Sequence, residues 1–185
     1  MRHMRILATF TLFLSLAFAQ SGENRTPGKA VYFLKDDSHK QWCAYANESR
    51  FKTQIQSLKA MIVGGADYAD GRLLTARVTE TDETGDWAVN DEYTYNKSGK
   101  IQALKRTINI LPEDFSEEQI FVIENGRAVK QRSVYRELRT GKVSQKSVNG
   151  FEAPPVITNT EGFPFSDLIG SKRYEVWSKG SVCIP

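Results

Sequence analysis

The sequence predicts a mainly β (α+β) protein, a curved antiparallel β-meander or half-barrel with one packed helix; a β-sandwich is the alternative. Three observations carry this expectation. A complete hairpin is legible at 91–110, DEYTYNKSGKIQALKRTINI. There Tyr93 and Tyr95 alternate with polar residues, Asn96-Lys97-Ser98-Gly99 supplies turn chemistry, and Ile101, Leu104, Ile108 and Ile110 fill the return strand. The same punctuation, a glycine followed by a cation and then an apolar or alternating run, recurs at Gly71-Arg72, Gly99-Lys100, Gly126-Arg127 and Gly141-Lys142. Only residues 47–62 carry a clear helical period.

Taken in order, residues 1–19 read as a secretory signal peptide. Arg2, His3 and Arg5 form its positive end, 6–18 its apolar stretch, and Ala17-Phe18-Ala19 its cleavage signal. The apolar run is shorter than the 18 or so residues that a spanning helix needs, and no second run in the mature chain is long enough. Residues 20–29 are a polar leader, and 30–185 form a single β-rich domain. Val31 and Phe33 alternate with Tyr32 and Leu34, a strand apolar on both faces. Residues 41–46 continue as a strand containing Cys43.

Phe51, Ile55, Leu58 and Ile62 then share one helix face, with Asn47 as N-cap and Gly64-Gly65 as the stop. Residues 74–79 alternate, 80–86 are an acidic loop, and 87–95 feed the hairpin. Leu111-Pro112 ends its return strand, because proline cannot donate to a ladder. Residues 119–123 form a short strand apolar on both sides, expected to be central or covered by the helix. Residues 127–138 and 142–148 are polar and suit edge or exposed strands. Residues 150–164 are loop, Ser166 caps a single turn at 167–169, and 174–177 and 182–184 are short terminal strands. Eight to ten strands of this length curl or close rather than stay flat, which is the reason for expecting a half-barrel.

Composition narrows the function classes. Cleavage after Ala19 leaves 23 cations against 22 anions, so bulk charge makes no case for nucleic acid. Cys43 and Cys183 read as a disulfide in an exported chain, against the alternative of two buried free thiols. One histidine, His39, remains after cleavage, which excludes a multi-histidine zinc site and weakens any serine or cysteine triad. Trp42, Trp87 and Trp177 lie in expected strands and read as core. No cofactor or metal is expected.

Two charge runs remain. The acidic run Glu80, Asp82, Glu83, Asp86, Asp91 and Glu92 reads as a solvated loop. A calcium loop is a second reading, although the D-x-[DN]-x-[DN]-G spacing is missing. A carboxylate hydrolase using Glu80, Asp86 or Asp91 is a third. The basic run Arg127, Lys130, Arg132, Arg136, Arg139, Lys142 and Lys146 is opposed by Glu137 alone. It reads as a charged edge that discourages strand-to-strand aggregation, or as a stripe for anionic headgroups or glycans.

The unit Tyr93-Thr94-Tyr95-Asn96-Lys97-Ser98-Gly99-Lys100-Ile101 resembles one hairpin of YD-repeat or MORN-like arrays. The other three turns lack the paired tyrosines, and the turn spacings of 28, 27 and 15 residues are irregular. The whole chain, with Thr79-Glu80-Thr81-Asp82-Glu83-Thr84-Gly85-Asp86-Trp87, is similar to uncharacterised small exported bacterial proteins. The similarity to those exported proteins names no activity. The functional expectation is an exported, monomeric, non-catalytic domain binding a hydrophobic or amphipathic envelope ligand such as lipid. Phe51, Ile55 and Leu58 would gate the ligand, and Arg132, Arg136 and Arg139 would hold an anionic headgroup. A structural or protein-interaction module of the envelope is the alternative, and the carboxylate hydrolase a third reading.

Overall fold

A computed structural model describes residues 29–36, 40–58, 60–148, 150–169 and 181–184. The signal peptide, most of the leader, His39, the 174–177 strand and Trp177 lie outside them. The elements are β1 (Lys29–Asp36), β2 (Gln41–Tyr45), α1 (Glu48–Leu58), β3 (Ile62–Ala69), β4 (Arg72–Thr81), β5 (Trp87–Tyr95), β6 (Ile101–Ile110), β7 (Phe115–Glu124), β8 (Arg127–Glu137), a single α2 turn (Ser166–Ile169) and β9 (Ser181–Ile184).

The nine strands form one antiparallel sheet in the order β8-β7-β6-β5-β4-β3-β1-β2-β9. From β3 to β8 it is an uninterrupted meander. At the other end β1 lies between β2 and β3, so α1 carries the chain across β1. The meander and the packed helix are as expected; the curling is not. The sheet stays open and uncurled, and the sandwich alternative does not occur. Its apolar faces are covered locally by other parts of the chain, so it need not roll up to bury them.

Two hydrophobic clusters sit on opposite faces. On one, Phe51 of α1 packs with Leu34, Cys43 and Tyr45, and its ring stacks on Tyr32 at 4.9 Å. On the other, Val31, Phe33, Ala66, Tyr68, Ala76, Val78, Tyr93 and Leu104 lie under an irregular strap, residues 150–169, that crosses the sheet. Phe163 meets Tyr93 edge-on at 5.0 Å, and Phe165 stacks on Phe33 at 4.4 Å. The double-sided apolar pattern of β1 is explained by this: Phe33 faces the strap and Leu34 faces α1.

Local chemistry sets the turns. The Asn96 side chain accepts from the Ser98 and Lys100 backbone N–H groups, each at 3.0 Å, and closes the β5–β6 turn as its sequence predicts. A bulge opposite Thr94 and Tyr95 then lets both Ile101 and Leu104 reach the strap face. At the β3–β4 and β7–β8 turns, Asp70-Gly71 and Asn125-Gly126 all have positive φ (51°, 71°, 52° and 75°). This is the two-residue loop whose twist matches that of the flanking strands.

Three sequence expectations need correction. The helix ends at Leu58, Ile62 opens β3, and Gly64-Gly65 lie inside that strand rather than stopping a helix. Gly64 is there because the Phe165 ring rests on it: a Cβ at that position would lie 2.2 Å from Phe165 Cε1. The strand around 119–123 is neither central nor under the helix; β7 is next to the β8 edge and faces the strap side through Phe121. Residues 142–148 form no strand of their own and contribute a single bridge from Val143 to Arg136.

Candidate functional site

The residues expected to form one ligand site are separated by the sheet order. Phe51, Ile55 and Leu58 lie on α1 against β1 and β2. Arg132 and Arg136 lie on β8, six strands from β1, about 29 Å at roughly 4.8 Å per strand. Arg139 is in the following turn, where its backbone N–H donates to Asp114 Oδ1 at 2.9 Å and its guanidinium lies 3.6 Å from the same oxygen. The structure therefore does not bring the apolar gate and the cations together.

Cys43 and Cys183 are paired in a disulfide, opposite one another in the β2–β9 register. The bond closes a sequence separation of 140 residues, and chain-entropy arithmetic assigns a loop of that size about 5 kcal/mol. Trp42 packs edge-on to Phe165 and Trp87 to Phe151, both partly buried.

The acidic run is dispersed. Asp82 spends its carboxylate on its own turn, accepting from the Thr84 hydroxyl at 2.8 Å. Glu92 is exposed. Glu80 and Asp91 share the strap face on adjacent strands, diagonal across the β4–β5 register. Among the described residues no three His, Cys, Asp or Glu side chains converge as metal donors.

Asp91 and Arg106 are the buried charges of the strap face, 7% and 3% exposed. They are directly opposite on β5 and β6. Arg106 Nε donates to Asp91 Oδ1 at 2.7 Å and Nη2 to Oδ2 at 2.6 Å, a bidentate pair. Its remaining nitrogen, Nη1, donates to the Pro154 carbonyl at 2.7 Å. The Tyr93 hydroxyl donates to Asp91 Oδ2 at 3.0 Å and accepts from the Ile157 N–H at 3.3 Å. The Thr160 hydroxyl donates to the Tyr95 hydroxyl oxygen at 3.3 Å, and the Tyr68 hydroxyl donates to the Ile169 carbonyl at 2.6 Å.

The physical logic is that of a strap without a ladder. Its backbone groups have no neighbouring strand to bond, so side chains rising from the sheet supply the partners. Burial pushes the Tyr95 phenol up to about 12 and raises those of Tyr68 and Tyr93 further. All three therefore stay protonated; Tyr68 and Tyr93 act as donors, and Tyr95 accepts from Thr160. Burial works against charge on Arg106, but the hydrogen bonds and the charge of Asp91 outweigh it. Burial, and then the Asp91 charge, raise the Glu80 carboxyl above its ordinary value.

Toward the β8 end a cavity of about 140 Å³ opens between sheet and strap. Ile108, Glu117 and Tyr135 form one row of its floor across β6, β7 and β8, and Phe115 flanks them. Phe151 and Ala153 belong to the roof. A second pocket beside it, of about 230 Å³, is lined by charges of both signs, Glu113, Asp114, Arg136, Glu137 and Lys146. None of the cavity-lining residues was singled out as a site from sequence. The signal available was Phe115-x-Glu117-x-Gln119-x-Phe121 in β7, where polar residues occupy the inward positions of an alternating strand.

At the outer edge of β8, residues 142–144 use only its C-terminal end. The Ser144 N–H donates to the Tyr135 carbonyl and the Glu137 N–H to the Lys142 carbonyl, both at 2.9 Å. Over 127–134 no strand among the described residues pairs with that edge. Arg127, Lys130 and Arg132 are exposed along it. Lys130 lies 5.6 Å from the centroid of the Phe121 ring on the strap face, while Arg132 is opposite Ile120 and faces the other way.

Compared with protein-family models, curated proteins and solved structures, the chain matches none of them. Among the described residues no helix is long and apolar enough to cross a membrane.

Proposed function

We propose that this is an exported, monomeric, non-catalytic interaction domain that receives an extended acidic segment of an envelope protein along the open edge of β8. One observation carries the proposal: among the described residues no strand pairs with the outer edge of 127–134, which is lined by Arg127, Lys130 and Arg132. That edge is about 27 Å long at 3.4 Å per residue. An incoming strand gains main-chain hydrogen bonds from the edge and specificity from alternate side chains. A second copy is a poor occupant, since antiparallel self-pairing would set cation against cation.

The rival carrier reading places a lipid behind Phe51, Ile55 and Leu58. It has less support, because Phe51 is 3% exposed and already stacked on Tyr32. The hydrolase reading has less support still. Both Asp91 oxygens are committed to Arg106, one of them also to Tyr93, and the strap lies over the pair. The disulfide and the cleavable-signal pattern support export.

The test is calorimetric titration with an eight-residue peptide alternating glutamate and threonine. Binding is expected, weakening as salt rises, with a loss of about tenfold or more for Lys130→Glu/Arg132→Glu. Ser133→Pro, which removes an edge donor, should weaken binding with little effect on the fold. Binding to anionic phospholipid vesicles without binding to the peptide would overturn the proposal in favour of the lipid reading.

A further inference from the structure

The cavity at the β6–β8 end is separate from the β8 edge and has a chemistry of its own. Its floor holds one carboxylate, Glu117, beside Phe115 and Tyr135, whose ring centroids are 5.8 Å apart. The roof contributes a third ring, Phe151, which the indole of Trp87 holds edge-on at 5.6 Å. Glu117 Oε1 accepts from the Gln119 side chain at 2.8 Å. Among the described residues Glu117 meets no cation within ion-pair distance, and its other oxygen accepts no hydrogen bond. The buried carboxylate of Asp91, on β5, is neutralised by Arg106; the partly buried Glu117 has no such partner among the described residues.

We infer that this cavity binds a small organic cation, an ammonium or quaternary ammonium group, held against Glu117 by the rings of Phe115, Tyr135 and Phe151. Aromatic faces carry the negative side of the ring quadrupole and attract a desolvated cation. The carboxylate supplies the full counter-charge. The lining selects against other classes. An anion would meet Glu117 with no compensating cation. A divalent metal would find one carboxylate beside the neutral Gln119 and Ser147 side chains, with no second acidic or imidazole donor. At about 140 Å³ the space suits a head group rather than a drug-sized molecule or an acyl chain, which fill roughly 300–1,000 Å³.

The site also reports on itself. Phe151 sits in the strap three residues before Pro154, whose carbonyl is fixed by Arg106. A cation beneath Phe151 would shift that ring against Trp87, so indole fluorescence should follow occupancy.

The experiment titrates the mature protein with choline and, in parallel, with its neutral isostere 3,3-dimethylbutan-1-ol, following fluorescence and heat. Saturable binding of choline, at least about tenfold tighter than the alcohol, is expected. Glu117→Gln keeps the shape and the hydrogen bond to Gln119 but should abolish that preference. Tyr135→Leu, an apolar replacement at a partly buried position, should weaken choline while leaving the thermal midpoint close to wild type. Equal binding of choline and the alcohol would overturn the inference. So would unchanged choline affinity in a folded Glu117→Gln, or no binding of choline at millimolar concentration.

Discussion

Gly64→Ala tests whether the strap is seated on the sheet as described. Gly64 has an ordinary strand backbone, so alanine costs nothing in conformation, and loss of glycine's freedom should stabilise by about 0.5–1 kcal/mol. The opposing term is steric. The new Cβ would lie 2.2, 2.6 and 2.9 Å from Cε1, Cζ and Cδ1 of Phe165, against an ordinary contact of about 3.5–4.0 Å. The ring cannot simply swing away: it is 1% exposed, stacked on Phe33 and edge-on to Trp42. Overpacking of this kind costs about 1–3 kcal/mol, and full eviction of the ring approaches the 3–5 kcal/mol of a buried Phe→Ala change. The net expectation is a loss of about 1–4 kcal/mol, or a thermal midpoint lower by roughly 3–12 °C for a domain of this size.

The assay is urea unfolding followed by near-ultraviolet circular dichroism, on Gly64→Ala, Phe165→Ala and the double variant. In the Phe165→Ala background the added methyl enters vacated space. The Gly64→Ala cost should fall to near zero, giving a coupling of at least about 1 kcal/mol. A Gly64→Ala protein within about 0.5 kcal/mol of wild type, or an equal cost in both backgrounds, would refute the reasoning.

Other outcomes follow from the same contacts. Arg106→Met leaves Asp91 buried without its counter-charge and should destabilise by about 3–5 kcal/mol in urea; Arg106→Met/Asp91→Leu should recover much of that loss, as buried pairs often do when both partners are replaced. Burial and the charge of Asp91 raise the Glu80 carboxyl in the folded state. Its stabilising contribution is therefore present below the unfolded value near pH 4 and lost as pH rises through the higher folded one. Glu80→Gln should thus raise the thermal midpoint at neutral pH and match wild type at about pH 3.5. Intact mass of the exported protein should show a chain starting at Gln20 and, under denaturing conditions, no alkylatable thiol before reduction; two such thiols would count against the disulfide. Reduction of Cys43–Cys183 should lower stability by up to about 5 kcal/mol, read as a shifted urea midpoint.

What the sequence determined by itself was local. Alternation in 91–95, the Asn96 turn, the Asn47 cap and the two-faced apolar run of 31–34 are each fixed by neighbours within a few residues, and each formed as read; the single turn expected at 167–169 formed too, with Ser166 as its first residue rather than its cap. The cysteine pairing was legible because only two cysteines exist. Tertiary structure decided what depends on partners distant in sequence. Gly64 looked like a helix stop because nothing near it reveals that a ring one hundred and one residues later needs the space of a missing side chain. Openness of the sheet was hidden because a proline-containing loop, 150–169, covers the face that curling would otherwise bury. Asp91 read as part of a solvated acidic run, yet its opposing Arg106 and the Pro154 carbonyl turn it into a buried anchor. The cavity of Glu117, Tyr135 and Phe151 joins two strands to a strap, and the helix and the basic stripe, expected from sequence to share one ligand, lie six strands apart. Strand order, which no local pattern encodes, set both.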